Sequence, residues 1–189
     1  NQPYNLGPNV YINNQYINNI NPTLQFFLDD PNDLPDISNP DTMGYQIQVD
    51  DNADFASPTD QYTTTVKNLG QNSQISYVVQ NSLPDSAYYW RVRTIDRWGA
   101  SSASYTYASA GTTAFKIDTT PPTSQLITPI AVSSTTLPIP LISGQGIDTV
   151  SAQTSGIHEV HIRVIDQTTN KYLYWTGTAW DFTSAENWI

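Results

Sequence analysis

The sequence contains no cysteine. Disulfide bonds, thiolate metal centres and thiol catalysis are therefore excluded. No apolar run approaches the roughly 20 residues that a bilayer-spanning helix needs. A sustained 3.6-residue apolar period is also missing, while 13 prolines and 9 glycines punctuate the chain at short intervals. Helices are not expected from such a pattern. Basic residues are scarce: 7 Lys and Arg stand against 17 Asp and Glu, for a net charge of −10. That balance repels phosphate backbones and anionic bilayers, so neither nucleic acid nor membrane insertion is expected. The one Asn-x-Ser/Thr triplet, Asn21-Pro22-Thr23, has proline in the middle and is no glycosylation acceptor. No Gly-x-Ser-x-Gly, His-Glu-x-x-His or phosphate-loop motif occurs. The stretch opening at Asn1 is polar and does not read as a signal peptide, so an interior fragment of a longer chain is expected.

Aromatic residues are abundant, with 12 Tyr and 5 Trp among 189 residues. They supply enough apolar volume for a core despite a charged content of only 13%. The acids are unevenly spread. Nine of the 17 lie between Asp29 and Asp60, and the first basic residue is Lys67. The plain reading of that region is a pair of solvated loops.

Two-residue alternation recurs along the chain. Residues 23–28 (TLQFFL) place Leu24, Phe26 and Leu28 on one face. Residues 45–49 (YQIQV) place Tyr45, Ile47 and Val49 inward, with Gln46 and Gln48 outward. Residues 75–79 (ISYVV) form a short apolar strand. Residues 88–95 (YYWRVRTI) set Tyr88, Trp90 and Val92 against Arg91 and Arg93. Burying unpaired guanidinium groups is costly, so the arginines identify the wet face. Residues 112–117 (TTAFKI) read as the last strand of this unit. Short alternating strands separated by turns predict an antiparallel β-sandwich. The paired prolines Pro121 and Pro122 favour an extended, stiff connection, which sets a boundary near Asp118. The expected division is a sandwich over residues 1–118 and a second β-domain over 119–189. In the second, residues 158–165 (HEVHIRVI) are expected to form a strand with Val160, Ile162 and Val164 inward. A hairpin is expected across residues 166–171, and a further turn before Trp180.

Three segments of the first unit resemble bacterial fibronectin type III-like repeats. Residues 21–31 (NPTLQFFLDDP) look like the second strand and its Asp-Pro loop. Residues 45–55 (YQIQVDDNADF) look like the third strand and the acidic loop after it. Residues 83–99 (LPDSAYYWRVRTIDRWG) are similar to the "L-x-x-G-x-Y-Y-W-R-V-R-A-x-D-x-x-G" stretch, with Ser86 in place of the usual glycine. The resemblance implies a tyrosine corner, whose hydroxyl bonds back to the chain upstream. Parity with Trp90 and Val92 assigns that role to Tyr88 rather than Tyr89. Residues 115–122 (FKIDTTPP) resemble the "F-x-V-D-T-T-x-P" junction of tandem bacterial surface repeats. Residues 155–164 (SGIHEVHIRV) and 174–180 (YWTGTAW) resemble bacterial Ig-like repeats. From residue 119 onward 71 residues remain, short of the roughly 100 of an Ig-like sandwich, so the second domain is expected to lack its final strands.

Catalysis finds little support. His158 and His161 lie three apart on one expected strand and so point to opposite faces. Calcium is the strongest chemical candidate, because hard cations take clustered carboxylates and carbonyls. Asp29, Asp30 and Asp33 share one expected loop with Asp36 and Asp41, and Asp96 approaches the same pole. Asp50 and Asp51, with Asp54, fall at the opposite pole, nearer Asp118 and the junction. Sugar stacking would use Trp98, Trp175 and Trp180, with Tyr105 and Tyr107, whereas strand and hairpin packing is the plainer role for these rings. Trp90 is expected in the core.

The expected function is a non-catalytic stalk, spacer or adhesin repeat of a bacterial extracellular or cell-surface protein. Neighbouring repeats, a surface polysaccharide or protein ligand, and copies of the same chain are the expected partners. The alternatives are an accessory carbohydrate-binding or linker module of a polysaccharide-active enzyme, and a filament or sheath subunit completed by a neighbour's strand.

Overall fold

A computed structural model describes residues 2–7, 16–29, 42–110, 112–128, 141–148, 154–176, 179–183 and 185. Among these there is no helix. In chain order the strands are β1 (Tyr4–Gly7), β2 (Tyr16–Ile17), β3 (Thr23–Phe27), β4 (Met43–Asp50), β5 (Asp60–Thr63), β6 (Gln74–Val78) and β7 (Ser86–Asp96). They continue with β8 (Thr106–Tyr107), β9 (Phe115–Ile117), β10 (Thr123–Thr128), β11 (Ser143–Ile147), β12 (Ile165–Asp166), β13 (Lys171–Trp175) and β14 (Trp180–Thr183). The chain divides into two compact units, Asn1–Pro121 with Thr149–Ser155, and Pro122–Asp148 with Gly156–Ile189.

The first unit is a two-sheet β-sandwich. One sheet has the order β1-β3-β6, all antiparallel. The other has the order β2-β9-β7-β4-β5, with β8 also on β7. All its pairs are antiparallel except β2 with β9. The inward faces meet as the alternation predicts. Leu24 and Phe26 of β3, with Leu28 just beyond it, pack with Ile47 and Val49 of β4 and with Tyr88, Trp90 and Val92 of β7 in one buried cluster. The Phe26 ring meets Tyr45 edge-on at 5.1 Å and Trp90 at 6.3 Å, tying the two sheets together.

Strand β7 is the longest element among the described residues, and its long register with β4 runs from Met43 opposite Asp96 to Asp50 opposite Tyr89. Its other edge is shared by β8 and β9, because the chain leaves the sheet between them through a turn in which Ala110 takes a φ of 49°. The edge is therefore paired in two short pieces, and residues 112–114 lie outside the strand expected over 112–117. At the entry to β7 the Tyr88 hydroxyl donates to the Pro84 carbonyl at 2.8 Å. The Tyr88 ring stacks on Phe115 at 5.5 Å, beside fully buried Leu83. That bond pins the turn to the strand it feeds. Burial, then the charges of Asp51 and Asp85, push the Tyr88 phenol up to about 12.

In the second unit β10 pairs with β11, and β12, β13 and β14 form an antiparallel meander. The strand expected over residues 158–165 is not there: regular pairing starts only at Ile165. Val160 and Ile162, expected inward, are 58% and 42% exposed. The reason is steric. A Cβ on Gly146 of β11 would fall 2.6 Å from the Ile157 Cδ1 and 3.7 Å from the Val160 Cγ2. This segment thus lays side chains onto the glycine backbone of β11 and forms no ladder with it.

The core predicts an order of mutational costs. Trp90→Ala should cost about 3–5 kcal/mol as a cavity in the centre of the sandwich. Tyr88→Phe keeps the ring and loses only the hydroxyl bond, for about 0.5–1.5 kcal/mol. Urea denaturation of the two variants checks this, and equal losses would contradict the assignment of Trp90 to the core.

Candidate functional site

The outward residues of β4, β5, β7 and β8 build the most organised surface of the first unit. Register places Gln61, Gln48, Arg91 and Tyr107 in one row across four strands. They form a chain of hydrogen bonds. The Gln48 Nε2 donates to Gln61 Oε1 at 3.2 Å, Arg91 Nε donates to Gln48 Oε1 at 2.8 Å, and an Arg91 Nη donates to the Tyr107 hydroxyl at 3.0 Å. The next row repeats the device. Gln46 Oε1 accepts from Arg93 Nε at 2.8 Å and from the Tyr105 hydroxyl at 2.7 Å.

Aromatic rings hold both guanidinium groups. Arg91 lies 4.1 Å from the Phe55 ring centroid and 4.2 Å from that of Tyr105, and Arg93 lies 4.7 Å from Tyr105. Contacts of this kind are worth about 0.5–2 kcal/mol each, depending on desolvation. Phe55 comes from the acidic loop and adopts a φ of 55°. A bulky residue in the left-handed region carries strain, of order 1–2 kcal/mol. Burial to 5% exposure over Arg91, with an edge contact to Tyr107 at 5.9 Å, offsets it. Neither Arg91 nor Arg93 has a carboxylate partner among the described residues.

The acidic candidates sit elsewhere and are engaged otherwise. Asp29 accepts the Gln71 side-chain amide at 3.0 Å. Asp30 and Asp33, with Asp36 and Asp41, lie outside the described residues. Asp118 is buried and uses both oxygens on backbone, accepting Thr120 N at 3.2 Å and Ser155 N at 2.6 Å. Asp51 is exposed, whereas Asp50 is only 2% exposed. Among the described residues no three His, Asp or Glu side chains gather in a group able to hold a metal ion. Asp50, Asp51 and Asp54, the calcium candidates expected at one pole nearer Asp118, form no such group. The reason lies in the backbone: successive side chains along 50–56 cap the turn. Asp50 accepts Asn52 N, Asn52 accepts Asp54 N, and Asp54 accepts Ala56 N.

Two carboxylates escaped the sequence reading. Asp60 seemed part of the acidic surface, yet it is 3% exposed and accepts the Tyr77 hydroxyl at 2.7 Å, Gln80 N at 3.2 Å and Asn81 N at 3.3 Å. Burial first, and Asp60 second, hold the Tyr77 phenol well above its ordinary range. Asp85 accepts from Thr119 N, the Thr119 hydroxyl and the Thr120 hydroxyl. Those donors, the Thr120 hydroxyl foremost, lower its carboxyl below the usual value. Asp85 thereby fastens the exit of the first unit to the turn that Tyr88 pins.

Of the expected sugar-stacking rings, Trp98 is 81% exposed, with the Arg97 guanidinium 4.9 Å from its ring. Trp175 and Trp180 belong to the second unit and stand opposite each other in the β13–β14 register. His161 pairs with Glu159 at 3.1 Å on the surface. Compared with family models, curated proteins and solved structures, the chain matches none.

Asp50 generates a prediction with a definite sign. Its Oδ1 accepts Asn52 N at 3.3 Å, while its Oδ2 is buried without a hydrogen-bond partner. Burial, assisted by the neighbouring Asp51, raises its carboxyl above 3.8. The folded state then binds more protons than the unfolded state as the pH passes upward from the ordinary carboxylate range. Wild-type stability from this group falls with rising pH across that window. Relative to wild type, Asp50→Asn should therefore gain stability as the pH rises from the ordinary carboxylate range toward neutrality. Urea denaturation across that range measures it, and a difference independent of pH would contradict the burial argument.

Proposed function

We infer that this chain is a non-catalytic structural and adhesive segment of a bacterial extracellular or cell-surface protein, built on a fibronectin type III-like sandwich. One observation carries the reading: the turn before β7 is fixed at both of its neighbours. Tyr88 ties it to the strand, and Asp85 ties it to Thr119 and Thr120 just ahead of the diproline. An exit anchored by several hydrogen bonds and followed by stiff chain suits a repeat that transmits position or load along a tandem array. The sheet orders β1-β3-β6 and β9-β7-β4-β5 support the fibronectin type III-like part of this reading. The buried and capped carboxylates support a structural role for acids that a hydrolase would keep open to substrate.

Antibody raised against the folded segment should label intact, unpermeabilised cells that carry the parent protein. Replacing the segment with unrelated sandwich repeats of equal length should leave display of the parent unchanged. Labelling that appears only after permeabilisation would contradict the surface assignment.

A further inference from the structure

The chain carries 17 acidic residues against 7 basic ones, yet two of its arginines are held side by side and neither forms an ion pair with an acid among the described residues. Arg91 and Arg93 are two apart on β7 and share one face, which separates their Cα atoms by about 6.5–7 Å. Each spends its Nε on a glutamine carbonyl, and Arg91 spends one further Nη on Tyr107. The other terminal nitrogens make no bond within the described protein, and none of them is among its buried unsatisfied atoms. They remain hydrated donors on guanidinium groups whose orientation is already fixed by Phe55, Tyr105 and two amides. Pre-organised arginines of this kind lose little rotamer freedom on meeting a carboxylate, and their planar forks match it in a bidentate manner.

We propose that the outer face of β4, β7 and β8 binds an acidic polysaccharide, with Arg91 and Arg93 taking a sugar carboxylate and the Tyr107 ring packing against an adjoining sugar. Three features favour a sugar polymer over other anions. Tyr107 is 41% exposed and offers an amphipathic ring next to the charges. Gln46, Gln48 and Gln61 supply neutral amides of the type that meet hydroxyl groups. The chain's net charge of −10 opposes a nucleic-acid backbone, which needs many more cations. Screening over about 8–10 Å lets two local arginines act despite acids elsewhere. Asp50 shares the outward parity of β4 but is buried at its end, and exposed Asp54 makes no ion pair with either arginine.

Binding of this kind deepens the surface-module reading and takes its biological setting from it, but the test uses purified protein. A failed titration would remove the ligand and leave surface display standing, whereas failed surface labelling would remove the setting and leave the binding. The 189-residue chain is titrated calorimetrically, in the presence of a chelator, with polygalacturonate, with the same polymer after carboxyl reduction, and with polyglutamate. Polygalacturonate should bind, and both the reduced polymer and polyglutamate should bind at least about tenfold more weakly. Arg93→Gln, with unchanged melting temperature, should lose about tenfold, and Arg93→Lys should recover only part of it because the fork is gone. Arg93 is chosen because Arg91 is more deeply stacked and its loss could disturb folding. Absence of binding to polygalacturonate would overturn the proposal. So would equal affinity for either control polymer, or wild-type affinity in Arg93→Gln.

Discussion

Trp90 and Arg91 are consecutive residues of β7, one sealed between two sheets and the other clamped between rings outside them. Everything else in the first unit depends on that two-residue alternation being held along the whole strand. Inward, Tyr88, Trp90 and Val92 meet Phe26, Ile47 and Val49 and supply the apolar burial that folds the unit. Outward, Arg91 and Arg93 meet Gln46, Gln48, Tyr105 and Tyr107. A shift of one residue in the β4–β7 register would bury both guanidinium groups and expose the tryptophan. The core and the surface ladder therefore specify the same register, and each penalises slippage of the other.

The acids play a different part from the one their number suggests. Asp60, Asp85 and Asp118 each accept from backbone or hydroxyl donors at the ends of strands. Such charge-assisted bonds satisfy main-chain groups that a turn leaves without a partner. Asp50 is the exception, with one oxygen buried and unpartnered, which makes it a local cost retained by the fold. A chain without cysteine thus closes these turns with carboxylates and the Tyr88 hydroxyl.

Parity made the strands of the first core legible: Leu24, Ile47, Val49 and Val92 stand between polar neighbours, Phe26 and Trp90 keep the same two-residue spacing, and burial follows. Gln46, Gln48, Arg91 and Arg93 were legible as a wet face for the same reason. Phe55 was not, because its role requires a left-handed turn that no apolar period announces. Asp60 was not, because a buried carboxylate and a solvated one look alike without the Tyr77 hydroxyl, 17 residues away. The short strands β2 and β8 have too few residues to show a period. Residues 158–164 show the opposite failure. Their alternation is as clean as that of β7, but alternation specifies a face and not a partner, and here Gly146 of β11 receives the Ile157 and Val160 side chains and no ladder forms.

Native-state amide hydrogen exchange tests this account most directly, since it reads the pairing of every segment in one experiment. The amides of β4 and β7 should exchange slowest, through global unfolding, and those of residues 158–163 should exchange rapidly. Fast exchange at Ile47, Trp90 and Val92, or slow exchange across residues 158–163, would contradict it.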